Sequence, residues 1–258
     1  KIDERDKLFV QTPESFGKRF DLDVRVENEV LSINRTDKKV KVKDLQNDKE
    51  YEENYDKLIL SPGANPIRPP IPGVDMDSIF TLRNVEDTDN IKNYMDENDP
   101  ERAVIVGAGF IGLEMAENLH NAGVFTTIVE MAEQVMAPLD YEMAAEVHQH
   151  LKMKDVEFYL KDAVKSFERT GDQELKVTLE SGKTMETDMV ILSVGGRPET
   201  DLADKAGLEI GDNGIKVNEY LQTSDEDIYA VGDAIEFKDP ILDRSKNTYL
   251  AGPANRQG

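Results

Sequence analysis

The sequence of 258 residues contains no cysteine and no tryptophan. Without cysteine, these residues can form no disulfide, no thiolate metal site and no thiol nucleophile. Every apolar run falls far short of the about 20 residues needed to span a bilayer, so we predict no membrane partner. Only three histidines are present, His120, His148 and His150, and the last two are spaced so that their rings face different sides of a helix. We therefore predict no metal site.

Basic residues are also scarce. The 31 Lys and Arg stand against 53 Asp and Glu, which gives a formal net charge of -22 at pH 7. Because phosphate neutralisation needs clustered Lys and Arg, this charge argues against nucleic acid as a partner and favours solubility. A length of 258 residues suffices for one large domain or two ordinary ones. With no spanning segment and no signal-peptide pattern, we expect a cytoplasmic protein.

Four short apolar runs stop at glycine, and they cover residues 58–63, 103–107, 190–195 and 228–232. Continuous β-branched runs of this length are typical of strands that are buried on both faces of a parallel sheet. Ligands on such sheets bind at the carboxyl ends of the strands, where these glycines lie. The predicted fold class is therefore α/β.

An internal repeat connects two parts of the chain. Residues 58–63 and 190–195 lie 132 positions apart, and so do Asp23 and Asp155, each of which precedes a valine. Between these ends both copies alternate apolar and polar residues, which predicts antiparallel β-meanders. Chance similarity could explain one match, whereas two matches at one offset favour duplication. A glycine loop in the first copy would then lie upstream of Lys1, so we expect the sequence to be a fragment.

Residues 103–114 predict a strand, a tight loop and the start of a helix. Gly107 would permit the turn, Gly109 would let the backbone approach a pyrophosphate, and Gly112 would let the helix pack on the strand. The helix is predicted over 111–122, with Gly123 at its C′ position. Its N-terminal N–H groups and macrodipole would hold phosphates. A GxGxxG pattern alone is weak evidence, but strand and helix in register favour a nucleotide site over a structural loop.

Glu130 ends the next predicted strand, which covers 124–129, and lies 21 residues after Gly109. A carboxylate at this distance is expected to hydrogen-bond the ribose hydroxyls of a dinucleotide. Because Glu130 would repel a 2′-phosphate, we predict NADH in preference to NADPH.

Another predicted strand ends in Gly232 and Asp233. A carboxylate at this place can accept hydrogen bonds from ligand hydroxyls as the next helix begins. Asp233 could equally cap that helix without any ligand, and the residues themselves leave both readings open. Beside a glycine loop, the pattern resembles the flavin-ribityl motif of flavoproteins with two dinucleotide sites.

Four stretches together resemble the pyridine nucleotide-disulfide oxidoreductases: GFIGLEMAENLH at 109–120, EMAEQVMAPLDYEM at 130–143, YAVGDA at 229–234 and LAGPANRQG at 250–258. Within that family the chain is most similar to the branch of CoA-disulfide reductases, CoA-persulfide reductases and NADH oxidases. The resemblance implies an FAD- and NAD(P)-binding architecture of two dinucleotide-binding domains, in which parallel sheets carry antiparallel meanders. It assigns 1–100 to part of an FAD-binding domain, 101–217 to an NAD(P)-binding domain and 218–258 to the returning FAD-binding segment.

The resemblance also implies which residues bind the two cofactors. Those implied for NAD(P)H are Gly107, Gly109, Phe110, Ile111, Gly112, Glu114, Glu130, Gly195, Gly196 and Arg197. Those implied for FAD are Ser61, Pro62, Gly63, Gly232, Asp233, Pro253 and Ala254. Phe110 and Ile111 would lie where the nicotinamide meets the flavin, although simple helix packing also explains Ile111. Relatives usually carry Ala-Thr-Gly at 61–63, so the missing Thr hydroxyl leaves only a backbone role there.

Relatives reduce disulfides or persulfides through a cysteine near the flavin, and this sequence has none. Asp6-Lys7-Leu8 and Thr12-Pro13-Glu14 resemble the stretch after that cysteine, so we expect it upstream of Lys1 and assign no catalytic residue here. The resemblance implies a homodimeric parent enzyme that transfers hydride from NAD(P)H to FAD and passes electrons through the cysteine to a CoA-disulfide or CoA-persulfide. The alternatives are an NADH oxidase that reduces oxygen and an inert NAD(H)-binding module.

Overall fold

The computed structural model describes Arg5, residues 9–239, Ile241 and residues 243–258, so Asp6-Lys7-Leu8 lie outside the described residues. The helices are α1 (Pro13–Phe20), α2 (Val85–Asn98), α3 (Phe110–Asn121), α4 (Tyr141–Met153), α5 (Asp201–Lys205) and α6 (Ala251–Gln257). The chain divides into two compact units, one formed by residues 1–63 with 198–258 and the other by residues 64–197. The assignment of 1–100, 101–217 and 218–258 to cofactor domains stays a prediction.

The strands are short and numerous. In the first half of the chain they are β1 (Asn28–Asn34), β2 (Lys39–Asp44), β3 (Lys49–Asn54), β4 (Leu58–Leu60), β5 (Ala64–Pro66), β6 (Ile79–Thr81), β7 (Arg102–Val106) and β8 (Phe125–Glu130). In the second half they are β9 (Glu157–Leu160), β10 (Val164–Arg169), β11 (Leu175–Leu179), β12 (Thr184–Thr187), β13 (Met189–Leu192), β14 (Gly196–Pro198), β15 (Ile215–Lys216), β16 (Ile228–Ala230), β17 (Ile235–Lys238) and β18 (Ser245–Lys246).

A five-stranded parallel sheet, in the order β6-β13-β7-β8-β9, is the centre of the 64–197 unit. Its strands alternate between two cores, as pleated strands must. Ala103 and Ile105 of β7 pack with residues of α2, α3 and α4, whereas Val104 and Val106 pack with the β10-β11-β12 meander. Both faces are therefore covered, which confirms the prediction of buried parallel strands at 103–107 and 190–195.

Local sequence signals set the ends of the helices in this unit. Asn84 caps α2 by accepting the N–H of Asp87, whose side chain accepts from the Asn84 N–H in return, which is a capping box. At the C-terminus of α3, Ala122 is the C-cap residue. Gly123, which follows it, has φ +89°, the left-handed conformation that glycine adopts most readily. The predicted helix over 111–122 is confirmed to within one residue at each end.

Each unit contains a three-stranded antiparallel meander: β1-β2-β3 in one and β10-β11-β12 in the other. In each unit the strand that follows the meander, β4 or β13, is parallel to its partner. The structure thus confirms the meanders predicted from alternation, and in both copies a short parallel strand follows the meander. The strand β9, which precedes the second meander, has no counterpart at 23–27 in the first copy.

The core of the other unit is smaller and gathers around β4, β16, α5 and β17. Arg35 ties its loops together, because its guanidinium pairs with Asp225 at 2.7 Å and donates to the Gly207 carbonyl at 2.8 Å. The hydrogen bond from Arg35 lowers the pKa of Asp225. The structure as a whole confirms an α/β fold with parallel sheets and antiparallel meanders.

Among the described helices, none combines the length with the apolar character that crossing a lipid bilayer demands.

Candidate functional site

Two of the three loop glycines after β7 are demanded by the protein's own packing. Gly107 has φ +101°, and a Cβ there would overlap the backbone of Ser193. A Cβ on Gly112 would overlap the carbonyl oxygen of Gly107 and lie 2.7 Å from the Ser193 hydroxyl. Both positions therefore need glycine for the close approach of helix and strands, whether or not a ligand binds.

Gly109 is different, because a Cβ at this position would meet nothing within 4 Å. It is the N-cap of α3, with φ -80°, so neither backbone strain nor packing explains the absence of a side chain. Among the described residues no side chain caps this helix, so its first N–H groups remain available to a ligand. Backbone donors and the positive end of a helix dipole around a clear volume are what a diphosphate requires.

The carboxylate of Glu130 lies against the same loop. One of its oxygens accepts the N–H of Ala108 at 2.7 Å, and the other accepts the N–H of Ala132 at 2.8 Å. The acid predicted from its spacing to Gly109 is thus placed beside the glycine loop, at the carboxyl end of β8. Each carboxylate oxygen has a further lone pair for a ligand hydroxyl.

Residues that the sequence did not single out hold the loop from both sides. The Ser193 hydroxyl, just after β13, lies 3.0 Å from the carbonyl oxygen of Val106 and 2.9 Å from that of Gly107, and it can donate to either. The N–H of Met136 donates to the Ala108 carbonyl at 2.9 Å. The sequence signal that could have identified Ser193 is a serine at the end of the apolar run of a parallel strand. Met136 has no such signal, because its hydrogen bond to the loop uses only its backbone N–H.

Several side chains of the predicted NAD(P)H site lie in solvent. Phe110 is 57% exposed and Ile111 is 49% exposed, so simple helix packing does not explain either side chain. Glu114, one turn further along α3, is exposed as well. Gly195 has φ +109° and its carbonyl accepts the N–H of Ile67, while Arg197 is exposed. Gly195, Gly196 and Arg197 all follow β13, the strand next to β7 in the sheet.

The residues predicted for FAD are brought together in the unit formed by 1–63 and 198–258. A cavity of about 380 Å³ is lined by Ser61, Gly63, Gly232, Asp233, Ala254 and the unpredicted Tyr249. Pro253 lies in α6 beside Ala254 and is partly buried, as is Pro62. The Gly232 N–H donates to the side-chain oxygen of Gln257 at 2.8 Å, which fixes α6 to the turn that carries Asp233. Sequence reasoning missed Gln257.

Asp233 has a carboxylate that forms no hydrogen bond or ion pair with any described residue. It is partly buried, and this burial raises the pKa of its carboxyl group. Asp233 does not cap the turn in which it lies, which favours the ligand interpretation over the capping one. An acceptor without a partner at the wall of a cavity fits the hydroxyls of a ribityl chain.

Comparisons with known proteins agree with this arrangement. The chain matches the family model described as pyridine nucleotide-disulphide oxidoreductase over residues 5–258. An NADH oxidase of Methanocaldococcus jannaschii is 38% identical over 254 residues, which cover 98% of this chain and 56% of that protein. A coenzyme A disulfide reductase of Staphylococcus haemolyticus is 35% identical over 237 residues, which cover 91% of this chain and 52% of that protein.

The crystal structure of reduced CoADR-RHD from Bacillus anthracis aligns with a TM-score of 0.95 at 53% sequence identity, covering 99% of this chain and 46% of that one. The chain spans about half the length of the curated relatives it matches. The family model nevertheless covers nearly every residue, from the β1-β2-β3 meander through the glycine loop to α6. The chain belongs to the pyridine nucleotide-disulphide oxidoreductase family.

Proposed function

We propose that this chain is the nucleotide-binding part of an FAD-dependent NAD(P)H oxidoreductase and that it binds NADH at the glycine loop after β7. The observation that carries the proposal is the open position at Gly109, where an added Cβ would meet nothing within 4 Å, at the start of a helix that no described side chain caps. Gly107 and Gly112 would shape this loop, and Phe110, Ile111, Glu114, Gly195, Gly196 and Arg197 would line the path of the nicotinamide. Family membership supports the assignment.

Glu130 would select NADH over NADPH. Its carboxylate, 2.7 Å from the Ala108 N–H, can accept hydrogen bonds from ribose hydroxyls. A 2′-phosphate at the same place would put like charges together, which costs affinity.

We propose that FAD binds in the cavity beside Asp233. Asp233 would accept hydrogen bonds from the ribityl hydroxyls, while Ser61, Gly63, Gly232 and Ala254 would line the site with it. Pro62 and Pro253, their neighbours in the sequence, would shape the backbone there. When bound, FAD supplies the hydride acceptor for the nicotinamide. The chain's own residues would then bind and orient the two cofactors.

For the parent enzyme we propose a cytoplasmic homodimer that reduces a CoA-disulfide or CoA-persulfide. The relatives named coenzyme A disulfide reductase support this substrate class. Since these 258 residues contain no cysteine, the thiol that reacts with the substrate would have to come from outside them. The 38% identical NADH oxidase supports a second candidate, in which oxygen takes the electrons.

The test is a titration of the purified chain with NADH and NADPH while the flavin absorbance is recorded. We expect NADH to bind, NADPH to bind about tenfold more weakly, and Gly109→Val to weaken NADH binding by about 100-fold, or about 2.7 kcal/mol. The control is Gly171→Ala, in the turn between β10 and β11, which should bind as the wild type does.

The outcomes separate the candidates. NADH binding with retained flavin supports the oxidoreductase, and NADH binding without flavin points to an inert nucleotide-binding module. Unchanged NADH affinity in Gly109→Val would contradict the site itself. In the complete enzyme, the two activities are distinguished by whether CoA-disulfide or oxygen supports the oxidation of NADH.

A further inference from the structure

His148 of α4 is a buried histidine with a defined hydrogen bond. Its side chain is 9% exposed, and its Nε2 accepts the backbone N–H of Val135 at 3.2 Å. Val135 is itself fully buried and lies in the 131–139 loop, the irregular segment between β8 and Asp140, the N-cap residue of α4. An Nε2 that accepts a hydrogen bond requires the neutral imidazole, with its proton on Nδ1.

The 131–139 loop is in turn attached to the glycine loop. Met136, the residue after Val135, donates its N–H to the Ala108 carbonyl at 2.9 Å. Glu130, the last residue of β8 and the residue before this loop, accepts the Ala108 N–H at 2.7 Å. Ala108 is therefore held through both of its backbone polar groups, immediately before the open position at Gly109.

We propose that His148 is a positioning residue for the nucleotide, and that its neutral imidazole holds the 131–139 loop in the conformation that fixes Ala108 and the amides of the glycine loop. The proposal rests on the proposed function, because it concerns affinity at that site. It predicts that protonation of one buried histidine weakens dinucleotide binding.

The surroundings of the ring favour the neutral form. Phe158 of β9 stacks on it at 5.3 Å between centroids, and Tyr141 of α4 presents a ring edge at 6.4 Å. The charged group that acts on it is Lys152, one turn further along α4, whose ammonium lies over the Phe158 ring. Burial, and to a smaller extent the charge of Lys152, lowers the pKa of His148. Val135 of the 131–139 loop donates its N–H to the His148 ring, and among the described residues no carboxylate pairs with that ring.

Protonation would turn Nε2 into a donor that faces another donor. The buried Val135 N–H would then lose its acceptor, and the loop would have to move to find water. Met136 would move with it and release the Ala108 carbonyl. Nucleotide affinity would therefore fall as the pH drops below the pKa of His148.

The experiment measures the dissociation constant of NAD⁺ for the 258-residue chain between pH 5.0 and pH 8.0, with circular dichroism as a check that the chain stays folded. In the wild type, one linked proton predicts a Kd that rises by up to about tenfold per pH unit below the His148 pKa. His148→Gln places an oxygen acceptor that does not titrate where Nε2 lies, so we expect wild-type affinity at pH 8 and a flatter profile in acid. His148→Leu removes the acceptor and should weaken binding by about tenfold at every pH.

The control is His150→Gln, two residues along α4, where the side chain is exposed; its pH profile should match that of the wild type. A His148→Gln profile that coincides with the wild-type profile overturns the inference, and so does wild-type affinity in folded His148→Leu. If the wild type binds NAD⁺ at no pH, the proposed function fails and this inference fails with it. If the wild type binds NAD⁺ and the His148 variants show the same Kd at every pH, this inference fails while the proposed function stands.

Discussion

Ile59 and Ile191 lie at equivalent positions of the internal repeat, 132 residues apart, and both occupy a short strand that follows an antiparallel meander. Ile191 is 0% exposed, whereas Ile59 is 63% exposed. The difference comes from the neighbours: β13 lies between β6 and β7, while β4 pairs only with β16 among the described residues. The same local pattern thus makes a strand in both units, but the neighbouring strands and helices decide how much apolar surface it buries.

The ends of these two strands differ in the same way. Beyond β13, the Ser193 hydroxyl bonds to the glycine loop, and Glu130 and Met136 hold that loop from the other side. Beyond β4, the equivalent Ser61 is exposed. Neither its hydroxyl nor the nearby Asp233 carboxylate forms a hydrogen bond with a described residue. The site in the 64–197 unit is therefore preorganised by its own residues, whereas the other site offers acceptors that a ligand would satisfy.

The largest effect should come from Gly112, whose missing side chain permits the preorganised loop. Gly112→Ala would drive a Cβ into the Gly107 carbonyl, which cannot yield without breaking the loop, so we expect the free energy of unfolding to fall by at least about 4 kcal/mol. Urea denaturation of the purified variant measures it. Gly109→Ala, with open space at the added methyl, should lose less than about 1 kcal/mol. Equal stability of the two variants would contradict the packing argument.

Truncation of the two equivalent isoleucines tests the comparison directly. Ile191→Ala leaves a cavity in a core covered on both faces and should cost about 3 kcal/mol, while Ile59→Ala should change stability by no more than about 0.5 kcal/mol. Thermal and urea unfolding of both variants give the two numbers. Should Ile59→Ala prove as costly as Ile191→Ala, the face of β4 is buried in the protein in solution.

The two equivalent serines should differ on a smaller scale. Ser193→Ala removes the hydroxyl that donates to the Val106 or the Gly107 carbonyl, so we expect a loss of about 1 kcal/mol in stability together with weaker NADH binding. Ser61→Ala should leave both quantities unchanged, since its hydroxyl forms no hydrogen bond with any residue that the structure describes. A loss of NADH affinity in Ser61→Ala alone would reverse the assignment of roles.

The smallest effect concerns the charge of Asp233. Because burial raises the pKa of this carboxyl, its contribution to stability is present below its ordinary pKa and is lost as the pH rises through the higher pKa of the folded chain. Asp233→Asn removes that loss, so the flavin-free variant should melt about 1 °C higher than the wild type at pH 7, with the difference vanishing near pH 3.5. The same variant should bind FAD more weakly. A lower Tm at pH 7 would mean that the carboxylate has a protein partner.

The parts of the fold that repeat along the chain could be predicted. The β-branched runs, the meanders, the helix before Gly123 and the position of Glu130 beside the glycine loop all follow from periodicity and spacing within about thirty residues. The pair His148 and His150 was correctly expected to face different sides of a helix. Their environments could not be predicted, because the loop that buries His148 has no periodic pattern.

Contacts made through backbone atoms escaped prediction as well. The bond from Met136 to Ala108 uses only main-chain groups, so any residue type could make it. Gln257 acts through a contact with Gly232, 25 positions away, and no local pattern marks such a partner. The sequence also does not show that packing requires Gly107 and Gly112 but not Gly109. That distinction depends on the atoms around each Cα, which only the structure gives.

The exposure of Ile59 gives a practical handle on assembly. Since the sequence has no cysteine, Ile59→Cys would carry the chain's sole thiol, on a strand whose outer surface is open to reagents. A maleimide would label that thiol quickly in the bare chain and slowly wherever another polypeptide covers β4. The labelling rate would then report, in a crude extract and without any assay of turnover, how completely this sheet is shielded.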